Sequence, residues 1–252
     1  MAEPRYCSLL ARATREPLGG TASHGRGCIV LAYPKRLWTR NALAATGLPK
    51  LLVHALEDAE AELDVVTRLV ASDSVETTEI TFYPSGLRFS SVALADAADV
   101  VRGYVRGTLT SGEVASRPML LCCTHGQRDR CCARFGLALT HAIRESDALG
   151  RIEVREASHL GGDRFAPTVL VLPSGHMYGH LTPEDAPALV EAVLGGAPVV
   201  ARFRGSFWRE PLEQLADVAA FGLPRLGAAT PTLSEITART IDATTGILLS
   251  TM

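Results

Sequence analysis

The chain has no run of one charge sign, no apolar stretch near the roughly 20 residues that span a bilayer, and no basic-then-apolar pattern in Met1-Ala2-Glu3-Pro4-Arg5. The first absence removes the basic footprint that nucleic acid requires, the second a membrane span, and the third a secretory leader. The expectation is a cytoplasmic protein with neither nucleic-acid nor membrane partners. No Walker loop, Rossmann glycine pattern, zinc-protease helix, Ser-His-Asp order or pair of glycosidase carboxylates is legible, so an independent nucleotide enzyme or hydrolase is not expected. The sequence also lacks Cys-x-x-Cys, which argues against a thioredoxin-type dithiol. What remains is an ordinary globular composition: 252 residues, 47% hydrophobic, 21% charged, net charge −2, enough for one large or two modest domains.

Cysteine is not scarce, and its placement is uneven. Four of the six cysteines, Cys122, Cys123, Cys131 and Cys132, fall within eleven residues. Clustered thiols in a reducing compartment indicate metal or redox chemistry.

An internal repeat organises the chain. Ile80-Thr81-Phe82 runs into Tyr83-Pro84-Ser85-Gly86, and 89 residues later Val169-Leu170-Val171-Leu172 runs into Pro173-Ser174-Gly175. The same offset carries Gly47-Leu48 onto Gly136-Leu137 and Gly107 onto Gly196. The first copy reads as strand 28–33, helix 48–71, strands 79–82 and 87–90, and helix 95–106. The second reads as strand 119–123, helix 137–144, strands 152–156, 169–172 and 176–179, and helix 183–194. Strand-helix-strand followed by a hairpin and helix is the thioredoxin core order. The expected fold is therefore α/β (α+β), with two tandem thioredoxin-like units, residues 1–112 and 113–252. From about residue 197 an extension carries a helix over 209–221 and a β-hairpin around Thr244-Thr245-Gly246.

Cys123 ends the apolar strand Met119-Leu120-Leu121 and opens a loop that runs to Cys132, at a strand's carboxyl end where open α/β sheets place ligands. Such a loop can fold back to bring two thiolates together, although two cysteines specify no particular metal. Downstream lies Ser158-His159-Leu160-Gly161-Gly162-Asp163-Arg164. Its glycines permit positive φ and close passage of the backbone, so that His159 and Asp163 can face one centre. Cys122, alternating with Cys123 along the strand, reads as core, and Cys7 and Cys28 read as inert.

These segments resemble the sucrase/ferredoxin-like family of thioredoxin-like 2Fe-2S proteins. The likeness runs from Glu16-Pro17-Leu18-Gly19-Gly20-Thr21-Ala22 and Tyr33-Pro34 through Cys123-Thr124-His125-Gly126 to Cys132. It continues through Ser158 to Pro167, Leu172-Pro173-Ser174-Gly175, Tyr178-Gly179, Arg204-Gly205 and Glu213-Gln214. The resemblance implies a 2Fe-2S cluster held by two cysteines and two histidines. Cys123, Cys132 and His159 match three ligands, and Asp163 stands where the second histidine would be. Asp163 is the expected fourth ligand, with Cys122, Cys131 and His125 as its alternatives. His125, Cys131 and Arg164 are expected beside the cluster. The implied function is electron transfer to a redox partner protein rather than catalysis, and the alternatives are a structural zinc site or thiol redox chemistry. Two thiolates, one imidazole and one carboxylate around an oxidised core of about +2 leave about −1. That charge sets an expected potential between roughly −400 mV for all-cysteine plant-type clusters and the roughly −150 to +300 mV of Rieske centres.

Overall fold

A computed structural model describes residues 6–109 and 112–222. The short helix α1 (Cys7–Ala13) precedes strand β1 (Gly27–Pro34), helix α2 (Lys50–Leu63), strands β2 (Val65–Ser72), β3 (Thr77–Tyr83) and β4 (Leu87–Ala93), and helix α3 (Ala97–Val105). After the two-residue strand β5 (Glu113–Val114) the same order recurs. Strand β6 (Met119–Cys123) leads to helix α4 (Arg130–Ser146), strands β7 (Glu153–Ala157), β8 (Val169–Leu172) and β9 (His176–Tyr178), and helix α5 (Ala186–Gly195). Strand β10 (Phe203–Ser206) and helix α6 (Pro211–Gly222) follow.

The fold is mixed α/β with thioredoxin-like strand pairing. In the first run β1 pairs parallel with β2 and antiparallel with β3, which pairs antiparallel with β4. In the second, β6 pairs parallel with β7 and antiparallel with β8, which pairs with β9. The two runs join through β2 and β7, with Val70 opposite Ala157, in one ten-stranded sheet of order β10-β9-β8-β6-β7-β2-β1-β3-β4-β5. Glu113–Val114, on the second side of the expected division at 112, pairs with β4.

Alternation along the strands separates two faces. Ile29, Leu31 and Leu69 pack with α2 and α3, while Leu120, Val169 and Val171 pack with α4 and α5. On the opposite face Cys28, Val30, Val70, Met119, Leu121, Cys123 and Ala157 form one cluster shared by both runs. That face is covered by irregular segments carrying Ala22, Leu160, Ala166 and Phe207. β1 and β6 are buried along their whole length, which explains their near-continuous apolar sequences. Each fully buried Val, Leu or Ile there contributes about 1.5–3 kcal/mol of transfer free energy.

Several elements differ from the sequence expectation, among them α1 and β5, which it lacks. The helix expected over 48–71 ends at Leu63: Asp64 adopts a left-handed conformation (φ 52°, ψ 43°), and the β-branched run Val65-Val66-Thr67 opens β2. Helix α4 begins at Arg130 rather than near Leu137, because the Asp129 side chain caps it by accepting the Cys131 N–H at 2.6 Å. Strand β10 was not foreseen; it extends the sheet beyond β9. The expected helix over 209–221 is α6, and the hairpin around Thr244 lies outside the described residues.

Candidate metal centre

The end of β6 is clamped between its neighbours: the Cys123 N–H donates to the Thr168 carbonyl (3.0 Å) and the Thr124 N–H to that of Ala157 (3.1 Å). Alternation turns Cys123 onto the shared face and Cys122 onto the helical face. The Cys122 thiol donates there to the Gly136 carbonyl (3.6 Å), and burial pushes its pKa up to about 12. Cys122 is thus separated from Cys123 by the sheet.

Cys132 reaches Cys123 because α4 passes directly over the strand end. A Cβ on Gly136 would lie 2.0 Å from the Cys123 carbonyl oxygen, so only glycine permits this approach. Asp129 is the N-cap, which places Cys131 and Cys132 in the first helical turn, where the helix dipole favours a thiolate. The Cys123 thiol is held well below its ordinary pKa by the hydrogen bond from Cys132, which outweighs burial, with His159 adding to the effect. The same bond, together with burial, raises Cys132. A bound cation would favour the thiolate form of both.

The third side comes from the segment after β7. Ser158 is fixed against β2 of the first run: its N–H donates to the Leu69 carbonyl (2.8 Å) and its Oγ accepts the Leu69 N–H (3.0 Å). His159 follows, and Gly161 (φ 89°) and Gly162 (φ 77°) turn the chain back to Asp163. Cys123 Sγ, Cys132 Sγ and a ring nitrogen of His159 all lie within 4.8 Å of one another. His159 Nδ1 and Asp163 Oδ1 are 3.0 Å apart. Both atoms are buried, and neither has an aligned hydrogen-bond partner among the described residues. Asp163, expected as the fourth ligand, is not one of the three donors that lie within 4.8 Å of one another; it meets the group through His159 Nδ1. A buried imidazole nitrogen without an aligned hydrogen bond beside two thiols suits an electropositive group.

His125 supports this arrangement. It is buried, its Nδ1 accepts the backbone N–H of His159 (3.3 Å), and its ring packs edge-on against Trp38 of the first run at 5.6 Å. Burial lowers its pKa, in keeping with a neutral imidazole that accepts at Nδ1. Cys131 lies on the outer side of the turn, its sulfur 3.4 Å from that of Cys7. Arg164 does not face the centre: it pairs with Glu16, lies over the Phe165 ring and is 53% exposed.

Two arginines to which sequence reasoning assigned no role stand nearby, Arg204 buried and Arg68 half-buried. Arg204 donates from Nη1 to the Gly161 carbonyl (3.0 Å) and from Nε to Thr21 Oγ1 (3.1 Å), and its Nη2 bonds the Thr21 carbonyl. Burial lowers its pKa to about 10. Gln214 binds both polar groups of Ala22 and the Ser206 carbonyl. The Glu16–Ala22, Arg204-Gly205 and Gln214 segments thus form one network beneath the glycine turn. Arg68, on β2, has a buried Nε without a partner among the described residues. Burial lowers its pKa, against the opposing influence of Cys28 and Cys123. Its signal was a lone charge in the apolar segment Leu69-Val70 and Val65-Val66, hidden by the helix expected there. Arg68, Arg40, Arg128 and Glu60 line a cavity of about 400 Å³ that reaches His125 and His159.

A sucrase/ferredoxin-like family model matches residues 18–205. Two curated relatives are both described as altered inheritance of mitochondria protein 32. The Eremothecium gossypii protein is 28% identical over 39% of this chain and 36% of its own length, and the Debaryomyces hansenii protein is 31% identical over 35% and 36%. The chain thus spans about a third of the length of these relatives. Among solved structures, a thioredoxin-like 2Fe-2S ferredoxin from Aquifex aeolicus aligns at 22% identity over 36% of this chain and 94% of that one, with a TM-score of 0.33. Human ERp44 aligns at 11% identity over 92% and 64%, with a TM-score of 0.26.

Proposed function

Because this chain belongs to the sucrase/ferredoxin-like family, we propose that it is an electron-transfer protein whose Cys123, Cys132, His159 and Asp163 hold a 2Fe-2S cluster. The observation that carries this reading is the convergence of the Cys123 and Cys132 thiols with a ring nitrogen of His159, to which Asp163 adds a carboxylate through its 3.0 Å approach to His159 Nδ1. Two soft anionic sulfurs and a mixed nitrogen-oxygen pair match an iron centre with one all-thiolate side. When bound, the cluster supplies one-electron chemistry.

The protein's own residues set the conditions for that chemistry. Cys123 and Cys132 are buried, whereas the His159 side chain is 22% exposed, so electrons pass at the histidine side, beside the arginine-lined cavity. Arg68 brings positive charge towards Cys123 and offsets the negative ligand set, which favours the reduced state. The redox partner we infer is a protein with an acidic surface that fits Arg40 and Arg128. Six free cysteines accord with a reducing compartment, and we place the protein in the cytoplasm. No helix among the described residues is long and apolar enough to cross a membrane.

Anaerobic purification followed by iron and acid-labile sulfide analysis tests the reading. Two of each per chain, with visible absorption bleached by dithionite, is the expected result. Stoichiometric zinc at these ligands without iron or sulfide would replace electron transfer with a structural site.

A further inference from the structure

We propose that Cys7, Asp129 and Cys131 form a second metal site, for a thiophilic divalent cation of the zinc type, on the outer side of the turn whose inner side carries Cys132. Cys7 reads from the sequence as inert, yet its α1 position brings its sulfur 3.4 Å from Cys131 Sγ and 3.9 Å from Asp129 Oδ2. The three donor atoms all lie within 4.8 Å of one another. In a tetrahedral site with Zn–S near 2.3 Å and Zn–O near 2.0–2.2 Å, sulfur-sulfur edges are about 3.8 Å and sulfur-oxygen edges about 3.5 Å. The observed sulfur-sulfur distance of 3.4 Å is slightly shorter than that edge and the sulfur-oxygen distance of 3.9 Å slightly longer, so side-chain shifts of about 0.4 Å seat an ion.

Asp129 is already oriented for this role. Its Oδ1 accepts the Cys131 N–H at 2.6 Å, which leaves Oδ2 directed towards Cys7. One side of the site opens into a surface pocket of about 440 Å³ that also includes Tyr6, Gln127 and Arg130. That opening gives an ion its path in and leaves the fourth position to water. Binding balances as one divalent cation exchanged for two thiol protons, with the carboxylate entering already ionised. No donor is shared with the Cys123, Cys132 and His159 group, so the site stands independently of the cluster. Its effect is to tie α1 onto the turn that positions Cys132.

The test uses the full chain, prepared anaerobically and dialysed against zinc chloride, with zinc and iron counted separately in wild type, Cys7→Ser and Cys131→Ser. Wild type should retain one zinc equivalent that both variants lose, with iron content and visible spectrum unchanged. Zinc should also raise the melting temperature of wild type and leave that of Cys7→Ser unmoved. Equal zinc in wild type and Cys7→Ser would overturn the proposal. So would loss of iron in Cys131→Ser, which would assign that thiol to the cluster, or a Cys7–Cys131 disulfide in the zinc-treated protein. If wild type holds no iron at all, the zinc difference between wild type and Cys7→Ser still reads the second site alone.

Discussion

His159 Nδ1 and Asp163 Oδ1 lie 3.0 Å apart, both buried, and neither forms an aligned hydrogen bond. In the proposed function both atoms are ligand atoms of one cluster, and Asp163 is the ligand to test first. Asp163→His removes one negative charge from that set and should raise the cluster potential by about 100 mV, judged from the gap between all-cysteine and two-histidine clusters. Redox titration measures it; an unchanged potential and spectrum would place residue 163 outside the ligand set.

Cys123→Ala and Cys132→Ala should each abolish cluster binding, because water replaces a charged soft ligand poorly. Cys28→Ala and Cys122→Ala should leave iron content intact. Cys28 lies in the core, with its pKa pushed up to about 12 by burial, and Cys122 lies on the other face of the sheet. Iron per chain in the four variants separates ligands from packing.

Gly136→Ala sets two effects against each other. Alanine gains about 1 kcal/mol in helix propensity, but its Cβ would meet the Cys123 carbonyl at 2.0 Å. The clash wins, since neither backbone can yield without moving α4 off β6. The variant should be destabilised by about 1–3 kcal/mol and depleted in iron. Denaturant melts and iron analysis on one preparation test both effects.

Arg204→Met removes a buried guanidinium and leaves the Gly161 and Thr21 carbonyls without their donor. A loss of about 2–4 kcal/mol is expected, with the glycine turn opening first. Hydrogen exchange at residues 159–164 should rise more than at β1, and a uniform rise would deny the turn-specific role.

His180 is buried with both ring nitrogens unpartnered among the described residues, and burial lowers its pKa to about 4 from about 6.5. The neutral form is the one the fold accommodates. Its contribution is full above the unfolded pKa near 6.5 and is lost as pH falls from there through about 4, a difference of about 3 kcal/mol. Stability measured between pH 7 and 4 should fall more steeply in wild type than in His180→Asn.

By itself the sequence determined the α/β class and most of the recurring element order, because these rest on local periodicity, and it singled out Cys123, Cys132 and His159 as candidates through residue types with special chemistry and a family resemblance. The 89-residue offset shows this: it aligns the Pro-Ser-Gly turns, and it also makes β2 and β7 equivalent strands of the two runs, a match hidden by the helix expected over 48–71. Only the tertiary structure decided that β2 meets β7 edge to edge, that Arg68 and Trp38 from the first run stand beside the centre, and that Cys7 meets Cys131 across 124 positions. It also turned Arg164 away and put Arg204 beneath the glycine turn. Those relations depend on which surfaces pack when the sheet closes. Packing is a long-range balance of buried area, close approach at glycine and satisfied polar groups, to which no local pattern corresponds.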